Sequence, residues 1–220
     1  MTIAVAIEAG SKRTFASALD WPGWARSGKT EQAALEALAA YAGRYAEVAR
    51  VARLPFPEKV PGALRVVERV RGSASTDFGV PGEVLKADRG PLDRDQAARQ
   101  AALVKAAWKV FDRVLARAPA ELRKGPRGGG RDRDAIDEHV RGAEVIYARK
   151  LGLRLPMPPA APGMASRTSA RSAILEALDA VSLGQAVVPK GWPGRYAARR
   201  IAWHALDHAW EIEDRARPPA

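Results

Sequence analysis

The chain contains no cysteine in 220 residues. That excludes disulfides, thiolate-bound zinc and a cysteine nucleophile, so any thiol chemistry must bring its sulfur on a diffusible molecule. Aromatic residues make up only 6%, and histidine and methionine number three each. No stretch approaches the roughly 18 apolar residues of a membrane span, which argues against a membrane protein. The opening MTIAVAIEAGSKR has no basic leader, and Glu8 interrupts its apolar run early. A cytoplasmic protein is therefore expected.

Negative charge is the minority sign, with 25 Asp and Glu against 36 Lys and Arg and a net charge of +11. The excess is uneven: 13 basic and 10 acidic residues precede Gly90, and 23 and 15 follow it. Much of it gathers in RKGPRGGGRDR, around Arg123, Lys124, Arg127 and Arg131. That Gly-rich loop has neither a recognition helix nor interleaved aromatics, which argues against a nucleic-acid partner. Attraction of an anionic small molecule, or solubility, accounts for the charge equally well.

Alternation of Ile3, Val5 and Ile7 predicts a strand, SKR a hairpin turn, and TFASALDW its partner. WPGWARSG reads as a loop. Thr30 is a good N-cap for a single helix of five or six turns along Leu35, Leu38, Tyr41, Tyr45 and Val48, ended by Pro55, Pro57 and Pro61. ALRVVERV reads as a further strand, followed by a turn-rich connection. From Arg94 onward the pattern is helical, with Asp93 capping the first helix and Asp132 or Asp134 the second. The Pro-rich LPMPPAAPGM reads as a crossover before two last helices. The fold class expected is α+β: a small hairpin or sheet plus helix in residues 1–90, then an all-α four-helix bundle in 91–220. Each part carries its own elements, so a chain from about Pro91 onward is expected to fold as helix.

The histidines carry the chemistry. His204 and His208 stand one helical turn apart in RIAWHALDHAWEIEDR and share a face. His139 lies in an earlier helix, at the edge of the inward stripe Ile136, Val140, Ala143 and Tyr147. All three imidazoles lean toward the bundle interior, where an unpartnered polar ring is costly. Three protein ligands would leave one position open on a divalent ion, as in catalytic sites. Asp207 and Glu211, on the flank of the same helix, are candidate orienting acceptors for an imidazole. The opposite stripe, Trp203, Leu206 and Trp210, is read as packing on the N-terminal part or neighbouring helices. Its alternative use is a homodimer contact.

Two stretches resemble known families. RIAWHALDHAWEIEDR together with DEHVRGAEVIYARKLG resembles the DinB-like (YfiT-type) superfamily, over roughly Asp93 to Arg217. That resemblance implies a metal-binding four-helix bundle, with His139, His204 and His208 as ligands to a divalent ion, commonly nickel or zinc. Many members are thiol-dependent transferases or isomerases that use mycothiol, bacillithiol or glutathione. FASALDWPGWARSGKTEQAALEALAAYAGRY is similar to the HicB-like fold, whose hairpin, D-x-P-G-x-x-x-x-G-x-T-x-x-x-A stretch and helix are met in order by Asp20, Pro22, Gly23, Gly28, Thr30 and Ala34. Gly28 is read there as the residue that permits an unusual backbone angle. The DNA-binding tail of HicB antitoxins has no counterpart in the sequence.

The expected function is a DinB-like, metal-dependent thiol transferase or isomerase acting on a small-molecule substrate, with a low-molecular-weight thiol such as mycothiol as co-substrate. The rival readings are a metal-dependent hydrolase and a non-enzymatic, HicB-like protein-binding module beside a structural metal. The sequence assigns no catalytic residue beyond the metal ligands.

Overall fold

The computed structural model describes residues 2–125, 129–157, 164–184 and 188–216. Four strands, β1 Ile3–Ala9, β2 Thr14–Ala18, β3 Ala25–Gly28 and β4 Leu64–Arg71, form one sheet in the order β3-β2-β1-β4. The hairpin β1–β2 and the pair β2–β3 are antiparallel, whereas β4 joins β1 in parallel. A parallel neighbour needs a crossover, and helices α1 Glu31–Ala40 and α2 Ala42–Val51 lie within it. The connection after β4 holds a short helix α3, Ala74–Phe78, and one 3-10 turn, Lys86–Asp88. Four long helices follow: α4 Arg94–Arg117, α5 Arg133–Lys150, α6 Met164–Ser182 and α7 Gly194–Ala216. The chain is thus α+β. Among the described residues, no helix is long and apolar enough to cross a membrane.

Three local readings need correction. The expected loop WPGWARSG contains β3, whose four residues are too short to show a pattern of their own and are defined by pairing with β2. The expected single helix after Thr30 breaks at Tyr41, whose ring packs edge-on against Trp210 at 5.1 Å and lies under the Arg26 guanidinium at 3.9 Å. Gly43, two residues on, is the only local mark of that break in the sequence. Gly28 is not needed for its backbone angle, since it is absent from the positive-φ residues. Space is its reason: a Cβ there would meet the Ala34 nitrogen at 2.5 Å and the Ala33 carbonyl carbon at 2.6 Å.

The caps behave unequally. Thr30 accepts from the Ala33 amide at 3.2 Å, and Asp93 and Gln96 form a reciprocal box at the start of α4. Asp132 occupies the N-cap position of α5 but caps nothing there, accepting instead from the Leu122 amide at 3.0 Å and the Lys124 ammonium at 2.7 Å.

Helix α7 organises the packing. It lies along α4, touches α5 and α6, and also meets the 3-10 turn, while α2 packs on α4. One apolar core therefore runs from Val5, Trp24 and Tyr45 through Phe111 to Leu206 and Trp210. The sequence suggests a helical part that folds by itself; the structure gives that part a core shared with the sheet. Trp203 and Trp210 are 4% and 2% exposed, Trp203 edge-on to Phe15 at 6.2 Å and Trp210 against Tyr41. They lie inside the chain, so the dimer contact considered for them has no exposed ring to use. Gly23 lets the turn after β2 approach α7: its φ is +92°, and a Cβ would meet Leu206 Cδ1 at 2.7 Å.

Ion pairs repeat the same connection. Arg26 meets Asp207 at 2.9 Å, Arg44 meets Asp214, and Arg199 holds Asp88 through two bonds of 2.6 and 3.1 Å. Arg199 and Asp88 are both buried. Removing one partner of a buried pair strands the other, so Asp88→Ala is expected to destabilise the protein by about 3–5 kcal/mol in chemical denaturation. A chain starting at Pro91 should expose Trp203 and Trp210, giving red-shifted tryptophan emission and binding of a hydrophobic dye. Blue, native-like emission from that fragment would show that the helices close over these rings unaided.

Candidate metal centre

Helix α5 presents His139, and α7 presents His204 and His208 one turn apart. The two helices pack so that His139 Nε2 lies 3.2 Å from His204 Nε2. One ring nitrogen from each of the three histidines falls within 4.8 Å of the others. The ring centroids are 5.0, 5.0 and 4.7 Å apart, with His208 edge-on to both of its neighbours. Nitrogens that share a tetrahedral ion at about 2.0–2.1 Å stand roughly 3.3 Å apart. The closest pair already has that spacing, and the His208 nitrogen lies within 4.8 Å of both. Three neutral imidazoles suit zinc, nickel or another borderline divalent ion, so the donor set fits.

His204 is buried and the other two are half-buried. Burial pushes the His139 imidazole below its ordinary range, helped by the charges of His208 and Arg131. His204 is held well below it, first by burial and then by His208 and Arg200. Both rings thus favour the neutral form that a metal requires.

His208 is oriented from outside. Its Nδ1 lies 2.8 Å from Glu211 Oε2, while Arg215 Nη1 donates to Glu211 Oε1 at 2.6 Å. With the proton on Nδ1, this leaves the Nε2 lone pair for an ion. Burial alone would raise the Glu211 carboxyl, but hydrogen bonds and charge from His208 and Arg215 outweigh it and lower it. Of the two flanking carboxylates named from the sequence, Glu211 does this work and Asp207 does not: Asp207 is turned to Arg26.

The basic loop is differently employed from the expectation of an open anion attractor. Arg123 donates to the Asp214 carbonyl at 3.1 Å, its own carbonyl accepts from Arg215 at 2.8 Å, and Lys124 is paired with Asp132. The Arg123 contacts staple the loop to the end of α7, and Lys124 ties it to the start of α5. Arg131 is exposed, and Arg127 lies outside the described residues.

Sequence reasoning passed over Arg200. It stands one turn before His204, and its Cζ lies 5.4 Å from the centre of the Tyr147 ring and 4.8 Å from that of Trp203. The i, i+4 spacing from His204 was available as a signal, but six of the 23 residues of α7 are arginine or histidine near that face or another, and spacing alone does not single one out. Tyr147, read only as core, packs edge-on to His204 at 5.6 Å and continues through Trp192 to Tyr196.

Compared with protein families, curated proteins and solved structures, the chain gives no match.

His139→Ala, His204→Ala and His208→Ala should each abolish stoichiometric binding of a divalent ion by tag-free protein, read by elemental analysis. Glu211→Gln should keep the helical circular dichroism yet weaken zinc affinity by about 10- to 100-fold, the usual cost of losing an orienting partner. Full ion content in all three histidine variants would remove the site.

Proposed function

We propose that this protein is a divalent-metal-dependent enzyme of the DinB-like kind, in which α4–α7 form the four-helix bundle and a diffusible thiol is the co-substrate. The observation that carries this reading is the convergence of His139, His204 and His208 from two helices, with two nitrogens already at 3.2 Å. Nickel or zinc is the expected ion, mycothiol or a similar small thiol the co-substrate, and transfer or isomerisation of a small molecule the reaction class. The absence of cysteine supports an external thiol, since the chain has no sulfur nucleophile. The β1–β2 hairpin, the stretch from Asp20 to Gly28 and helix α1 follow one another as in the HicB-like signature, which supports a HicB-like N-terminal part in a cytoplasmic protein.

When bound, the ion supplies Lewis acidity and favours thiolate over thiol at its open position. The chain's own groups do the rest. His139, His204 and His208 would hold the ion, while Glu211 fixes which nitrogen His208 presents. Tyr147 and Trp192 form an apolar wall beside His204 that excludes water, and their low local dielectric strengthens charge interactions at the site.

A protein-binding role for the N-terminal part has one observation in its favour: Val67 on the edge strand β4 and Phe78 at the end of α3 are 57% and 85% exposed. The metal would then only brace the helices.

The test is spectroscopic. Cobalt-loaded protein titrated with mycothiol or 2-mercaptoethanol should develop sulfur-to-metal charge-transfer absorption, which no thiolate of the protein can produce. Protein with one cobalt and no such band would argue for water as the working ligand, and so for hydrolysis.

A further inference from the structure

The two edges of the sheet differ. Strand β3 has four residues and is approached by α1 so closely that Gly28 has no room for a Cβ. Strand β4 has eight, and among the described residues its main chain bonds only to β1. Its outward N–H and C=O groups are left without a strand, which makes this edge a template for a further one.

The side chains restrict the occupant. Arg65, Val67, Arg69 and Arg71 are exposed, alternating with half-buried Leu64, Val66, Glu68 and Val70. The register slips between Val5 and Ala6, so Val67 has no residue opposite it on β1 and stands 57% exposed at the bulge. Beyond the bulge Arg69 and Arg71 are two residues apart and share a face. Arg69 bonds Glu31 there at 2.8 and 3.0 Å, an exposed pair that contributes little in water. Among the described residues Arg65 and Arg71 have no hydrogen bond or ion pair. Glu68, the one acid of the strand, is already occupied. It accepts from the Lys86 and Ala87 amides at 2.7 and 3.2 Å, and Lys86 is itself exposed.

Charge decides between partners. Antiparallel pairing of two β4 edges about Val67 would set Arg65 opposite Arg69, and pairing about Glu68 would set Arg65 opposite Arg71. Like charges directly opposite destabilise a ladder, so a second copy of the chain is a poor occupant. An acidic strand meets attraction instead.

We infer that the outer edge of β4 binds an extended acidic segment of another protein, added to the sheet as a further strand with carboxylates two residues apart on Arg69 and Arg71. In this mode main-chain bonds supply affinity and alternate side chains supply specificity. The inference takes the protein-binding use of the N-terminal part further by naming its partner class, and it does not depend on an ion at the three histidines.

The experiment uses the full chain and a fluorescein-labelled octapeptide that alternates glutamate and valine, read by anisotropy in metal-free and zinc-loaded protein. Equal binding in both is expected, so a failure of the metal site leaves this result standing. Amide hydrogen exchange of residues 64–71 should slow on binding. A lysine–valine octapeptide should not bind. The glutamate peptide N-methylated at its central amides keeps the charge but cannot complete a ladder, and should bind about tenfold more weakly. Protein carrying both Arg69→Glu and Arg71→Glu should also lose about tenfold, since each change replaces attraction by repulsion. Arg117→Glu, at an exposed position on α4, should leave binding intact. If the double variant does not fold, the N-methylated peptide and the exchange pattern decide on wild-type protein alone. The inference is overturned by a wild-type protein that does not bind the glutamate peptide, by equal binding of the N-methylated peptide, or by protection that lies outside residues 64–71. Slowed exchange at β4 with a single-stranded oligouridylate but not with the peptide would give the edge to nucleic acid, and a wild-type dimer abolished by the double variant would give it to a second copy. Either result overturns the inference too.

Discussion

Helix α7 is surrounded on nearly every side: Trp203 faces Phe15 of the sheet, Trp210 faces Tyr41 between α1 and α2, its length lies along α4, and its histidines face α5. Burial of so much of one helix fixes its rotation about its own axis, because any turn would bring Trp203 or Trp210 toward water. Each of those rings is worth several kcal/mol when buried. With the rotation fixed on one side, the His-x-x-x-His face on the other is aimed at α5 without any strong interaction among the histidines themselves. The metal-site geometry is thus held by apolar packing between the N-terminal part and α7. Packing of this kind resists small displacements, since interiors are as dense as organic crystals.

A second constraint fixes α6. Arg171 reaches Glu144 on α5 at 2.9 Å and Asp112 on α4 at 2.7 Å, and Arg167 bridges Asp112 and Asp137. Burial pushes the Glu144 carboxyl up against the opposing pull of Arg171. Buried ion pairs of this kind roughly break even with well-packed apolar side chains in stability. What they supply is register, because a directional network among three helices has one good alignment where an apolar seam has several. Helix α5, clamped by that network on one face, carries His139 toward α7 on another.

Much of this was legible in the residues. Alternation exposed the β1–β2 hairpin, Thr30 and Asp93 announced helix starts, and the four-residue step paired His204 with His208. These are local signals whose period or chemistry belongs to a single segment. The two-sidedness of α7 was legible as well, since its tryptophans and histidines fall on different stripes. Strand β3 was not, because four residues carry no period. The break at Tyr41 was not, because the apolar stripe of α1 and α2 runs through it and the ring's partners, Arg26 and Trp210, lie far away in sequence. Gly28 was assigned the wrong reason, since a close approach by α1 leaves no mark on the glycine itself.

The sequence by itself determined the element types of most segments, the inward lean of three imidazoles, and the lack of any sulfur nucleophile, since each depends only on residue identity and helical or strand spacing. Tertiary structure alone decided that β4 pairs in parallel with β1, that His139 meets His204 rather than solvent, and that Glu211 and not Asp207 orients His208. It also decided that Arg200 stacks on Trp203 and Tyr147 and, among the described residues, meets no carboxylate. Those outcomes depend on the relative placement of segments some 60 to 180 residues apart, as in His139 with His204 and Arg26 with Asp207. No local period encodes that placement; it follows from the simultaneous burial of the faces that surround α7.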